Sequence, residues 1–268
     1  MKVCVITGGG SGMGLGAARA MPNDRIFLLS GRTQQKLDKA AKQLKAEGRQ
    51  VYIKTCDTSD KKQVHELARY AASLGEVTNV INAAGLSPSM ADPEKLLRVN
   101  AFGTVYVNRE FAKVMKKGVI VDISSNSAYQ LPKMLIPEKT YRLAEKQEQE
   151  FLKRLLRMCG LIKDDYKRSG LAYALSKNFV LWYAKKSAFE LGDRGIRVCS
   201  LSPGLVATDM GELEKGEGAS MLKHTAEKRM GTPQELGFAI AMVADERNGY
   251  LAGVDVLVDG GSVSGKRS

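Results

Sequence analysis

Tyr173-Ala174-Leu175-Ser176-Lys177 sets a phenol and an ammonium four residues apart, a spacing that brings both side chains to one face of a helix. A free phenol has a pKa of about 10 and is a poor base at neutral pH. Nearby positive charge favours phenolate and makes the pair a proton donor and acceptor. The pattern is common in helices, so its meaning depends on what accompanies it. A second feature stands at the start of the chain. Thr7-Gly8-Gly9-Gly10-Ser11-Gly12-Met13-Gly14 follows the apolar run from Val3 and precedes the helical run Leu15 to Met21. Glycines there let the backbone turn tightly and approach a pyrophosphate, whose charge free amides and a helix N-terminus favour.

Both features need rigid supports. Short β-branched runs recur at Val3-Thr7, Arg25-Ser30, Gln50-Cys56, Asn79-Asn82, Val119-Ile123, Arg197-Leu201 and Val254-Val258. Between them, stretches such as Gln34-Glu47 and Lys61-Leu74 repeat apolar residues at three and four. This alternation predicts an α/β fold, a doubly wound parallel sheet of Rossmann type, with ligands bound at the strands' carboxyl ends. No repeat or low-complexity linker divides the 268 residues, so residues 1–268 are read as a single dinucleotide-binding and catalytic domain. The span 131–169 is read as an insertion. It opens on Pro132 and Pro137, and Glu138 to Met158 reads as one charged helix with Tyr141, Leu143, Phe151, Leu152, Leu155 and Leu156 available for packing.

Composition narrows the function further. Cys4, Cys56, Cys159 and Cys199 have no metal-ligand spacing, and only His65 and His224 are present, so neither a metal site nor a Ser-His-Asp triad is expected. Buried thiols and the lack of a signal-like or membrane-spanning run predict a soluble cytoplasmic protein without a membrane partner. The net charge of +12 suits anionic ligands. The basic residues are interspersed with Asp and Glu and accompany no nucleic-acid motif, so no specific nucleic-acid partner is expected.

The spacing T-G-x-x-x-G-x-G resembles the short-chain dehydrogenase/reductase family, and the likeness continues in order along the chain. Cys56-Asp57 matches the family's adenine-contacting aspartate. Ile81-Asn82-Ala83-Ala84-Gly85 resembles N-N-A-G, with Ile81 replacing the first asparagine. Val99-Asn100-Ala101 resembles the segment whose asparagine holds a water beside the catalytic lysine. Val119 to Ser125 resembles the segment whose last serine polarises the substrate oxygen, a role carried to Ser125, with Ser124 as the alternative. Ser202-Pro203-Gly204-Leu205-Val206-Ala207-Thr208 matches P-G-x-V-x-T, and Asp255 to Gly261 resembles the closing strand. The resemblance implies a catalytic set of Asn100, Ser125, Tyr173 and Lys177. It implies dinucleotide contacts from Thr7, Gly8, Gly10, Ser11, Gly12, Met13, Gly14, Asp57, Asn82, Ala83, Gly85, Tyr173, Lys177, Pro203, Gly204, Val206 and Thr208.

At the end of the second strand, an acidic residue would accept from a ribose 2′-hydroxyl, whereas an arginine can pair with a 2′-phosphate. Gly31-Arg32 stands there, and NADP(H) rather than NAD(H) is expected. Ser11 supplies no second cation in the glycine-rich loop. The insertion, with Leu171-Ala172-Tyr173, resembles bacterial 3α-hydroxysteroid dehydrogenase/carbonyl reductases. A hydroxysteroid or other bulky carbonyl/alcohol is therefore the expected small-molecule substrate. A 3-oxoacyl-carrier reductase and a non-catalytic dinucleotide-sensing regulator are the alternatives. Asp209 to Met230, with Gly211, Gly216 and Gly218, reads as a substrate-covering lid. The insertion precedes the catalytic helix, read from Leu171 to Leu191. It should cover the face through which many relatives form tetramers, leaving a dimer or a monomer.

Overall fold

Side-chain alternation in the strands decides the layering. Val3 and Val5 enter one apolar cluster while Cys4 and Ile6 enter another, and Leu28 and Leu29 divide in the same way. A strand apolar on both faces must be covered on both, and parallel crossovers provide that cover. In the computed structural model, which describes residues 1–213, 222–223 and 225–265, the strands are β1 Lys2–Thr7, β2 Arg25–Gly31, β3 Gln50–Thr55, β4 Glu76–Asn82, β5 Gly118–Ile123, β6 Ile196–Pro203 and β7 Asp255–Val258. They form one parallel sheet in the order β3-β2-β1-β4-β5-β6-β7. Strand order reverses between β1 and β4, which opens a crevice at their carboxyl ends.

One face of the sheet carries α1 Gly12–Ala20, α2 Gln34–Ala46 and α10 Pro233–Val243; the other carries α3 Lys61–Leu74, α5 Gly103–Val114 and the long α8 Asp165–Leu191. Between β4 and α5 lie α4 Pro93–Leu97 and a π-helical turn, Arg98–Phe102. After β6 come α9 Asp209–Leu213 and, at the end, α11 Ser262–Gly265. Gly216, Gly218 and His224, part of the expected lid and the histidine pair, lie outside the described residues. The four cysteines are free and buried, and no group of described residues could hold a metal ion. No described helix is long and apolar enough to cross a membrane.

The insertion differs from its expected form. Glu138 to Met158 is not one helix but two, α6 Glu138–Tyr141 and α7 Glu148–Cys159, separated by a turn. The break lets Tyr141 donate from its hydroxyl toward Leu175 O and Asn178 Oδ1 on α8, both at 3.1 Å. It also lets Glu145 accept from the Tyr183 hydroxyl at 2.7 Å. One straight helix could not present all these groups to α8. That helix itself begins six residues before its expected start, at Asp165, because Asp164 caps it by accepting from Lys167 N at 2.8 Å. Phe151 packs at 5.2 Å, centroid to centroid, on both Phe102 and Phe179, and α7 lies against α8 and α4.

Because Phe151 is fully buried at this junction, Phe151→Ala should destabilise the protein by about 3–5 kcal/mol. Equilibrium denaturant unfolding measures this, and an unchanged midpoint would mean that the insertion does not share the core.

Candidate active site at the sheet's carboxyl edge

The glycine-rich turn is shaped by close approaches. Gly8 has φ +67°, and a Cβ there would fall 2.8 Å from Ala83 backbone atoms; a Cβ on Gly14 would fall 2.5 Å from Gly8 O. The loop is thereby pressed between the ends of β1 and β4, with its amides at the start of α1. Beside it lies a cleft of about 550 Å³ lined by Gly8, Gly10, Ser11, Gly12, Met13, Gly14, Arg32, Asp57, Ala83, Gly85 and Thr208, all expected from the sequence. The glycine cradle and a helix N-terminus at a cleft of this size fit a dinucleotide. Arg32, exposed on the rim, has no hydrogen-bond or ion-pair partner among the described residues.

Other expected contacts lie off the cleft wall. Thr7 and Asn82 are buried beneath it: the Thr7 hydroxyl donates to Asn82 Oδ1 at 2.9 Å and accepts from Ala84 N at 3.1 Å. Pro203 closes β6, and Val206 is buried under the segment that leads to Thr208. Gly204 lines a neighbouring cavity of about 190 Å³ with Leu205 and Ser262. The cleft also contains residues that sequence reasoning missed, among them Lys36, Met90 and Asp209. The basic residue in the first turn after Arg32, Lys36, could have been found from its closeness in sequence to Arg32.

Tyr173 and Lys177, on α8, are not among the residues lining the cleft; Lys177 approaches it at Gly85. Lys177 is 6% exposed; its Nζ donates to Ile123 O at 2.9 Å and stands 5.8 Å from the Tyr173 ring centroid. A Cβ on Gly85 would come within 3.3 Å of this Nζ and 3.2 Å of Asn100 Oδ1, so the absence of a side chain there makes room for both. Asn100 sits in the π-turn, a distortion frequent at functional sites. Its Oδ1 accepts from Leu86 N at 2.9 Å, and its Nδ2 donates to Leu86 O at 3.0 Å and Ser176 Oγ at 3.1 Å. The two serines after β5 are differently engaged. Ser124 donates its hydroxyl to Lys177 O at 2.7 Å, whereas Ser125 accepts from Ser127 N at 3.2 Å and keeps only a long 3.5 Å contact to Asn126 Oδ1. Ser125 therefore has the hydroxyl hydrogen more available to a ligand.

Beneath these groups runs a polar row. The strand register aligns Lys54, Ser30, Thr7, Asn82, Asp122, Ser200 and Asp255, one residue from each strand. Asp122 is fully buried; its oxygens accept from Asn82 Nδ2 at 2.9 Å and Asn108 Nδ2 at 2.8 Å. Burial pushes its carboxyl up to about 6, against those two hydrogen bonds and the Lys177 charge. Burial likewise brings the Lys177 ammonium down to about 8, with the Asp122 charge opposing the fall. The lone acid inside Val119-Ile120-Val121-Asp122-Ile123 is the sequence signal for this network.

A dinucleotide cradle at the switch point of a doubly wound sheet, with the Lys177 ammonium behind Gly85, points to an oxidoreductase of the nicotinamide class. The family model described as "short chain dehydrogenase" matches residues 2–136, and one described as "Enoyl-(Acyl carrier protein) reductase" matches residues 163–263. The chain belongs to the short-chain dehydrogenase/reductase family. It is similar to the short-chain dehydrogenase/reductase bsc3 of Alternaria brassicicola, 29% identical over 97% of this chain and 95% of that protein. It is also similar to the 7alpha-hydroxysteroid dehydrogenase of Escherichia coli, 25% identical over 98% and 94%. A short-chain dehydrogenase of Burkholderia cenocepacia, solved in complex with NADP, shares the fold with a TM-score of 0.78 at 20% identity, covering 97% of each chain. Residues 137–162, between the two family matches, hold α6 and α7.

The buried ammonium has a thermodynamic signature. The folded state releases the Lys177 proton near pH 8, whereas the unfolded chain keeps it to about 10.5. Between those values the unfolded state binds more protons, so this group makes stability rise with pH. Urea midpoints measured across pH 7–10 should show that rise in the unaltered protein relative to Lys177→Met; parallel curves would place the ammonium in solvent.

Proposed function

We propose that the chain is an NADP(H)-dependent oxidoreductase interconverting a ketone or aldehyde and an alcohol, with Asn100, Ser125, Tyr173 and Lys177 as its site. The observation that carries this reading is the buried Lys177 ammonium, held on Ile123 O, 5.8 Å from the Tyr173 ring centroid and packed beside Gly85, which lines the dinucleotide-sized cleft. A bound nicotinamide would supply or take the hydride. Tyr173 gives its proton to the carbonyl oxygen during reduction and takes it back during oxidation. Lys177, fixed on Ile123 O, favours the phenolate. Ser125 donates to the same substrate oxygen. Asn100 holds the Gly85–Leu86 turn that Lys177 packs against.

Arg32, with no internal partner among the described residues, supports NADP(H), as does Gly31 in place of an acid. The likeness to a hydroxysteroid dehydrogenase supports a bulky carbonyl substrate. A 3-oxoacyl-carrier reductase is the second reading; the description of the model that matches residues 163–263 supports only the acyl carrier, since an enoyl reductase acts on a C=C bond and not on a ketone. The non-catalytic regulator is set aside by the family membership and the intact Tyr173–Lys177 pair. Residues 1–268 act as one dinucleotide-binding and catalytic domain with 131–169 inserted, and the setting is cytoplasmic.

A panel of ketones and alcohols that includes steroids and a short acyl-thioester, run with both dinucleotides, tests the substrate and the cofactor. Tyr173→Phe should lower turnover on the best substrate by about 10²–10⁴-fold while dinucleotide binding stays nearly unchanged. Near-normal turnover in that variant, with chemistry rate-limiting, would remove Tyr173 from the mechanism.

The assembly follows from the insertion. With α7 seated on α8 and α4, and its outer side carrying Lys153, Arg154 and Arg157, pairing through that face would desolvate many charges. A monomer, or a dimer formed elsewhere, is therefore expected in light scattering; a tetramer joined through α5 and α8 would refute this.

A further inference from the structure

Lys36 stands over the glycine-rich loop. It lies in the first turn of α2, four residues after Arg32, and both line the cleft. A Cβ on Gly10 would come 3.2 Å from Lys36 Cβ, so nothing intervenes between the loop and this side chain. Its Nζ lies 3.6 Å from Asp209 Oδ2, its sole ionic partner among the described residues. Asp209 opens α9, directly after Thr208, and also lines the cleft. The Lys36 and Asp209 side chains are 56% and 89% exposed, and an ion pair so open to water is weak and exchangeable. The remaining acid on the cleft wall, Asp57, is engaged by Ser59 through its amide at 2.9 Å and its hydroxyl at 2.6 Å.

Resting on the NADP(H) reading above, we propose that Lys36 is a second cation for the adenosine 2′-phosphate, and that Asp209 is the internal anion it gives up when that phosphate arrives. Arg32, just before the N-cap of α2, and Lys36, in its first turn, line the same cleft, so a dianionic phosphate there can be met by two cations. Lys36 supplies the cation that Ser11 does not supply from the loop. Two anions then compete for one ammonium. By linkage, whatever loosens the Asp209 contact strengthens phosphate binding, and phosphate binding releases α9 from α2.

The test is equilibrium binding of 2′-AMP and 5′-AMP, followed by calorimetry, so no turnover is required. The unaltered protein should prefer 2′-AMP, and Arg32→Ala should weaken that preference. Lys36→Ala should weaken 2′-AMP binding by about tenfold, the scale of one charge-assisted hydrogen bond discounted for exposure, and leave 5′-AMP unchanged. Asp209→Asn should tighten 2′-AMP binding about threefold when Lys36 is present, and less in the Lys36→Ala background, since the contacting pair is coupled. Added salt should compress these differences.

If Arg32→Ala weakens the preference and Lys36→Ala does not, the assignment of Lys36 is wrong while the NADP(H) reading stands. Equal losses of 2′-AMP and 5′-AMP binding in Lys36→Ala would give the lysine to the 5′-phosphate and overturn the proposal. The same gain from Asp209→Asn in both backgrounds would show that Asp209 merely repels anions, and the exchange is then refuted. No preference for 2′-AMP in the unaltered protein would overturn the NADP(H) reading and this inference together.

Discussion

A positive charge kept almost out of water is the constraint around which the rest of this molecule is arranged. The Lys177 ammonium is 6% exposed, and an unpartnered ammonium in that position would lose its proton or destabilise the fold. Its supports come from different parts of the chain: the Ile123 carbonyl from β5, the field of Asp122 one residue earlier, and space left by Gly85 after β4. Asp122 in turn needs Asn82 and Asn108, and Asn82 needs Thr7. The hydrogen bonds therefore run from beneath α8 to the base of the glycine-rich turn, whose neighbour Ala84 also rests on Thr7. The two ends of the cleft share one buried framework, which is polar on a face that is otherwise hydrocarbon.

The insertion belongs to the same mechanical unit. Its aromatic residues Tyr141 and Phe151 pack against Phe179 on α8. The Tyr141 hydroxyl reaches Leu175 O, between Tyr173 and Lys177 in the chain, and Glu145 binds both Tyr183 and Lys186. These contacts hold α8 at Leu175, Asn178, Tyr183 and Lys186. The charged residues noted in the sequence thus accompany a sharply apolar inner face, and the outer charge alone is a poor guide to how firmly the segment is held.

Much of this was legible in the residues. Alternation of β-branched runs with helical periods gave the parallel sheet, since strands covered on both faces must be apolar at both parities, as Val3-Cys4-Val5-Ile6 is. The glycine-rich turn and the Tyr-Lys spacing were legible because their geometry is local. Features set by distant contacts were not. The helix break between Tyr141 and Glu148 answers to groups on α8, and the early start of α8 answers to the Asp164 cap. The choice between Ser124 and Ser125 could not be made from a pair of adjacent hydroxyls. The Lys177 carbonyl, which accepts the Ser124 hydroxyl's hydrogen bond, separates them. The polar row escaped notice because its members are aligned by strand register rather than by sequence.

The order of strands has a consequence for how the polypeptide comes together as it is made. β1 lies inside the sheet, and once β2 and β3 have paired on one side its other edge stays open until β4 emerges. From then on each new strand, β4 to β7, joins at the edge left by its predecessor, so assembly can proceed vectorially with the chain. Until β5 arrives, the β4 edge is an unpaired template of the kind that promotes misassociation. When β5 joins, Asp122 enters the interior before α8 has been synthesised, so the carboxylate precedes the ammonium it opposes. Asn82 and Asn108, already made by then, can hydrogen-bond that acid from the moment it is buried, so the framework beneath the site can form ahead of the lysine it will face.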